Sequence, residues 1–176
     1  MKLLKQYSVP FTGLKLGLHQ FNFDVDGSFF NEFEYSLVKN GLLKVDLVLD
    51  RQETMLVLDF HITGVIYLDC DRCLAEYPQA LDTRDRLIAK FSQEDDLDET
   101  DEVIVLTKND VEVDTSIFIY EMITLAAPYI NMCDNPGNTD ACDKDMIAKL
   151  QELSIEDSED NGDIDPRWAA LKNIKK

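Results

Sequence analysis

The chain has 176 residues, 45% of them apolar, which is enough for one domain with a real core and too few for two. No run approaches the roughly 20 apolar residues of a membrane span, and residues 1–7 lack a secretory core and cleavage site, which predicts a cytoplasmic protein. The formal charge of −18, with no broad basic stripe, argues against gripping DNA or a bare phosphate backbone.

The first twenty residues carry Lys2, Lys5 and Lys15 without an acid, leaving a local RNA contact open. Residues 18–25 alternate around Phe21, Phe23 and Val25, the pattern of a half-buried strand. Asp26, Gly27 and Ser28 supply turn and cap residues before Phe29, Phe30, Phe33 and Leu37, spaced for one face of a short helix with Glu32 and Glu34 outside. Asn40 and Gly41 signal a turn, after which the period drops to two. Val45, Leu47 and Leu49 alternate with Lys44, Asp46 and Val48 up to the polar break at 50–53. Residues 54–68 form a second β-rich run in which Gly64 marks a bulge or bend, and the two runs read as antiparallel strands.

Residues 81–91 predict another strand, and Val103–Leu106 a short buried one after an acidic stretch. From Asp114 the period turns helical: Asp114 or Thr115 can cap, Ile117, Phe118, Met122, Leu125 and Ala126 make an apolar face, and Pro128 ends it. A loop at 135–138 leads to a second helix over 143–153. The fold class expected is α+β: an antiparallel, strongly bent sheet or partial β-barrel, two or three helices, and a tethered C-terminal helix. One domain then covers residues 1–153 with an acidic loop at 92–102, an acidic linker covers 154–164, and a docking helix covers 165–176.

The acidity is local. Residues 92–102 hold seven acids and no base, and residues 152–165 hold seven more, again with no base. Without those fourteen the charge of −18 becomes −4. Such blocks are solvated, self-repelling loops, or they attract a basic partner and speed its capture.

Four cysteines occur, and a cytosolic chain keeps them reduced. The two-residue gap of Cys70-Asp71-Arg72-Cys73 lets both thiolates face one tetrahedral ion from a single turn. Cys133 and Cys142, with eight residues between them, can supply the remaining ligands of a zinc site, though their spacing is looser than that of a second knuckle. A redox pair would need a helix N-terminus behind it, and Leu74-Ala75-Glu76-Tyr77-Pro78 leaves no room for one. Asp71 and Glu76 disfavour a thiolate there, while Arg72 favours it. No phosphate loop, nucleophile elbow or His-Glu-x-x-His string is present, and His19 and His61 stand apart. The sequence therefore predicts a non-enzymatic protein with no catalytic residue.

Asp165-Pro166-Arg167-Trp168 opens a short helix with Asp as N-cap, Pro at its first position and lysines near its end. Trp168 and Leu171 either pack back on the domain or serve as a docking peptide, since Trp and Arg dominate binding hot spots.

Leu68-Asp69-Cys70-Asp71-Arg72-Cys73-Leu74, Leu125-Ala126-Ala127-Pro128 and the Asp165–Leu171 string, in that order, resemble the YceD family of large ribosomal RNA subunit accumulation proteins. The likeness runs from about Val45 to the end. Where many members carry a dense cysteine cluster after the Pro, only Cys133 and Cys142 stand here. The resemblance implies a role in 23S rRNA accumulation and large-subunit assembly. Given the charge, the expected partner is a basic ribosomal protein or a pre-ribosomal particle, met by Arg72, Asp165, Pro166, Arg167 and Trp168. Direct rRNA contact through the N-terminal lysines and Arg72, or a small zinc-binding or thiol-redox protein, is the alternative.

Overall fold

The computed structural model describes residues 4–91, 103–107, 109–133 and 139–154. The alternating runs become long strands: β1 (Ser8–Pro10), β2 (Gly17–Val25), β3 (Asn40–Arg51), β4 (Met55–Asp69), β5 (Glu76–Phe91), β6 (Val103–Leu106) and β7 (Glu112–Asp114). One sheet has the order β2-β3-β4-β5-β6, and β1 pairs with β7 in a second, two-stranded sheet. From β2 to β5 every neighbour is antiparallel. β6 runs parallel to β5, with Val103 beside Ile88.

The larger sheet is therefore mixed and open, where a purely antiparallel sheet or partial barrel was expected. A hairpin return would need only about two to five residues. Eleven residues separate Phe91 from Val103, more than a hairpin loop takes. A four-residue apolar run shows that it is a strand but not which way it points.

Period two places the core on one face. Leu43, Val45, Leu47 and Leu49 of β3 and Leu56, Leu58, Phe60, Ile62 and Ile66 of β4 are all buried. Asp46, Asp59, His61, Arg84 and Arg86 occupy the other face, where they line an open groove of about 720 Å³. Its charges are largely paired across strands: Arg86 donates to Asp59 at 2.6 Å, His61 meets Asp82 at 2.9 Å, and Asn22 donates to Asp46. Gly64 forms no bulge, because the register passes through it unbroken on both sides. Its φ of +147° explains the glycine instead. Asn40 and Gly41 also differ from expectation, opening β3 rather than turning before it.

The predicted phenylalanine helix shrinks to α1 (Gly27–Phe30), capped by Asp26, whose carboxylate accepts the Ser28 amide at 2.8 Å. Phe29 buries against Tyr7 and Phe30 against Phe29, but Leu37 is 79% exposed and Val38 takes the core position. The chain leaves the helix for turns after Asn31, so helical spacing no longer applied at Leu37. α2 (Ser116–Ala126) ends before Pro128 and buries Met122 as expected, yet it also buries Ile119 and Ile123 and leaves Ile117 and Leu125 58% and 84% exposed. Its rotation is fixed from outside the helix. Thr115 Oγ1 donates to the Tyr7 carbonyl at 2.6 Å, Asp114 accepts the Ser116 amide at 2.9 Å, and Tyr120 stacks on Phe33 at 3.9 Å.

Contacts divide the chain into the units Met1–Cys142 and Asp143–Lys176. The second contributes α3 (Lys144–Leu153), capped by Asp143, which accepts the Asp145 and Met146 amides at 3.0 Å. The acidic loop at 92–102 and the tail with Asp165, Pro166, Arg167 and Trp168 lie outside the described residues. Among the described residues no helix is long and apolar enough to cross a membrane.

Candidate metal centre

The β4–β5 ladder ends at the pair Asp69–Glu76, and the six residues between them fold into a tight knuckle. The Cys70 amide donates to the Ala75 carbonyl at 3.0 Å and the Leu74 amide to the Cys70 carbonyl at 2.9 Å. Closing so short a loop forces Leu74 to φ 60°, a left-handed position rare for a residue with a Cβ. The Arg72 amide points inward, 3.4 Å from Cys70 Sγ.

A distant segment is pinned beside this knuckle. The Asp71 amide donates to the Asn131 carbonyl, and the Asp71 carboxylate accepts the Asn131 amide, each at 2.8 Å. This two-way clasp carries Cys133 in, its Sγ 3.5 Å from that of Cys73. The thiol sulfurs of Cys70, Cys73 and Cys133 all lie within 4.8 Å of one another, and the three residues are only 1–2% exposed. Cys142 follows a short 3-10 helix (Thr139–Ala141) that packs against β5. It is half-buried and stands outside the tight group of three.

Burial pushes the Cys133 thiol well above its ordinary range, and the thiols of Cys142, Cys73 and Cys70 push further in the same direction. Burial likewise raises the Tyr77 phenol, with Cys70 the next cause, the Met132 amide opposing, and Asp71 and Cys133 adding to the rise. A buried thiol held well above its ordinary range, as at Cys133, is poorly suited to nucleophilic work. Three buried sulfurs this close together suit a thiophilic divalent ion. Three close cysteines can bind a metal here. The knuckle leads straight into β5, so no helix N-terminus lies behind the pair.

Of the four cysteines marked by the sequence, the fold brings three together, and Cys142 stays outside that group. Arg72 is exposed on the knuckle, and Lys5 and Lys15 are exposed elsewhere. His19 bonds the Lys15 carbonyl at 2.7 Å and His61 pairs with Asp82, so neither belongs to the centre. Sequence reasoning missed Asp71 as a clasp, Asn131 as its partner, and Tyr77. Asn131 carries no local signal. Tyr77 sits on the core face of β5 opposite Leu68, where alternation forecasts an apolar side chain and not a hydroxyl.

An acidic α+β domain whose hairpin end gathers buried thiols defines a cysteine-knuckle scaffold, with no catalytic constellation among the described residues. The model of one family, the large ribosomal RNA subunit accumulation protein YceD, matches residues 58–175, and the chain belongs to that family. The match begins in β4 and takes in the knuckle, α2 and the tail. The chain is also similar to the uncharacterized protein YlbN of Bacillus subtilis (strain 168), with 28% identity over 127 residues, which are 72% of this chain and 70% of that protein. No solved structure matches.

Proposed function

We propose that this chain supports accumulation of 23S rRNA and assembly of the large ribosomal subunit in the cytoplasm, acting by binding and not by catalysis. The observation that carries this reading is family membership over residues 58–175. The direct partner is a basic ribosomal protein, alone or within a pre-ribosomal particle. A charge of −18, with fourteen of the acids gathered into two runs, favours a cationic protein over bare RNA. Arg167 and Trp168 anchor the partner, Asp165 and Pro166 open the helix that presents them, and Arg72 adds a contact at the knuckle. The thiol cluster serves as a resident zinc site that holds the segment around Asn131 against the hairpin end.

The test is capture of partners from cells with the full chain over a salt gradient. Recovery of a basic ribosomal protein whose retention falls steeply with salt supports the reading, and recovery of rRNA without such a protein overturns it. Removing residues 1–15 gives an independent check, because binding through the N-terminal lysines would then be lost and binding of a basic protein would not.

A further inference from the structure

The five-stranded sheet ends at β2, and among the described residues no strand pairs with its outer side. Backbone groups alternate in direction along an antiparallel strand. The Asp24 carbonyl points away from β3, where it accepts the Tyr7 hydroxyl at 3.0 Å, so Leu18, Gln20 and Asn22 face outward as well. The same parity follows from the β3–β4 turn, where the Gln52 amide donates to the Met55 carbonyl at 3.0 Å. Among the described residues nothing bonds the outward amides and carbonyls of Leu18, Gln20 and Asn22.

Free edges are usually guarded by Pro, Lys or a bulge. Residues 17–25 hold neither Pro nor Lys, and their register with β3 is unbroken. The core side of this strand is half-covered too. Phe21 and Phe23 are only half-buried, although their partners Leu47 and Val45 are fully buried. Unpaired backbone beside half-covered aromatic rings suits the addition of one more strand.

Three features select a second copy of this chain as that strand. An antiparallel copy centred on Gln20 sets Leu18 opposite Asn22 of the other chain and uses all three free residues, for about six new hydrogen bonds. In that register Phe23 faces Gly17 of the second copy. A cleft of about 240 Å³ beside Asn22, Phe23 and Asp24, walled by Gln6 and Tyr7, receives that glycine, whose missing Cβ has nothing within 4 Å. The register also brings Lys15 of each copy alongside Asp24 of the other, a charge match made twice. Residues 1–25 hold three lysines against one acid, so this edge does not repel its twin, and a basic protein gains nothing there.

We infer that the chain forms a two-fold dimer through β2, antiparallel and centred on Gln20, which joins two sheets into one. His19 of each copy then lies opposite Phe21 of the other on the core side. The paired stretch is short, so the interface belongs to the small, reversible class.

Sedimentation equilibrium of the full, reduced chain from about 1 μM to about 1 mM should show the mass rising from one chain to two. Gln20→Pro removes the central amide, which faces outward and takes no part in the ladder to β3, and should weaken association about tenfold or more. Lys15→Glu should weaken it as well. Lys15→Glu with Asp24→Lys in the same chain should recover it, because the swapped charges meet again across the two-fold. A chain that stays single at every concentration overturns the dimer. A dimer indifferent to both Gln20→Pro and Lys15→Glu overturns β2 as its interface. Loss without recovery in the double variant overturns the register. Should Gln20→Pro unfold, Gln20→Cys decides. Its two sulfurs meet at the axis across a pair about 5.5 Å apart at Cα, within disulfide range, so mild oxidation should link two chains through residue 20. Absence of that link, mapped by mass spectrometry, overturns the pairing.

Discussion

Replacing Gly64 by Ala should be among the most damaging single-methyl changes in this chain, and two other glycines separate the causes. Gly64 pairs with Leu43 on one side and Leu81 on the other, at φ +147°. A Cβ there would lie 2.2 Å from the Leu42 carbonyl oxygen and 2.8 Å from Leu43 Cα. Both are backbone atoms of the adjacent strand, so no rotamer change relieves the clash, and β3 must move away by most of an ångström. The unfavourable φ costs about 1–3 kcal/mol. Opening roughly two ladder hydrogen bonds adds about 1 kcal/mol each. The sum, about 3–5 kcal/mol, is a large part of the roughly 5–15 kcal/mol that stabilises a domain of this kind. Gly17 has φ +113° but nothing within 4 Å of its missing Cβ, so Gly17→Ala should lose only the backbone part. Gly13 has open space and no positive φ, so Gly13→Ala should be neutral or stabilise by up to about 1 kcal/mol. Urea unfolding of the three variants measures the series. If Gly64→Ala costs no more than Gly17→Ala, the close approach of β3 and β4 is refuted.

Arg167→Ala and Trp168→Ala should each weaken partner capture by about 2 kcal/mol, near thirtyfold, while leaving the melting of the first unit unchanged; titration against the captured protein checks both. Asp26→Ala should cost about 1 kcal/mol through loss of the α1 cap, read by thermal unfolding. The Ser28 hydroxyl first, then the Ser28 and Phe29 amides, hold the Asp26 carboxyl below its ordinary value. Its contribution is therefore complete above the unfolded carboxylate pKa and fades as pH falls through the lower folded value. Asp26→Asn should keep the cap at neutral pH and flatten that acid limb in a stability–pH series. Leu74→Gly should range from neutral to about 1 kcal/mol stabilising. It removes roughly 1–2 kcal/mol of left-handed strain at an exposed side chain and adds about 0.5–1 kcal/mol of unfolded-state entropy; denaturant midpoints measure the balance.

The strands were legible because period two survives burial on one face. Val45, Leu47 and Leu49 point inward as their alternation requires. What could not be read was set by partners far along the chain. α2 turned its buried face toward Ile119 and Ile123 because Thr115 is tied to Tyr7 and Tyr120 to Phe33, contacts with no local trace. The direction of β6 depends on where the chain goes between Phe91 and Val103, which composition does not encode. At the centre, the close gap announced Cys70 and Cys73. The looser gap understated Cys133, because its approach is made by Asp71 and Asn131, sixty residues apart. Tyr77 passed as one more core residue.

The β4–β5 ladder also acts as a spacer. Its fifteen paired positions run from Asp69–Glu76 to Met55–Lys90. At about 3.3 Å per residue that separates its ends by some 45 Å, somewhat less with twist. The thiol knuckle occupies one end, and the Met55–Lys90 pair, with Phe91 just beyond it, occupies the other. A small globular protein, about 30 Å across, cannot touch both at once. A partner engaging the two ends together must be elongated or part of a larger particle, and lesions at opposite ends should then act additively on its binding.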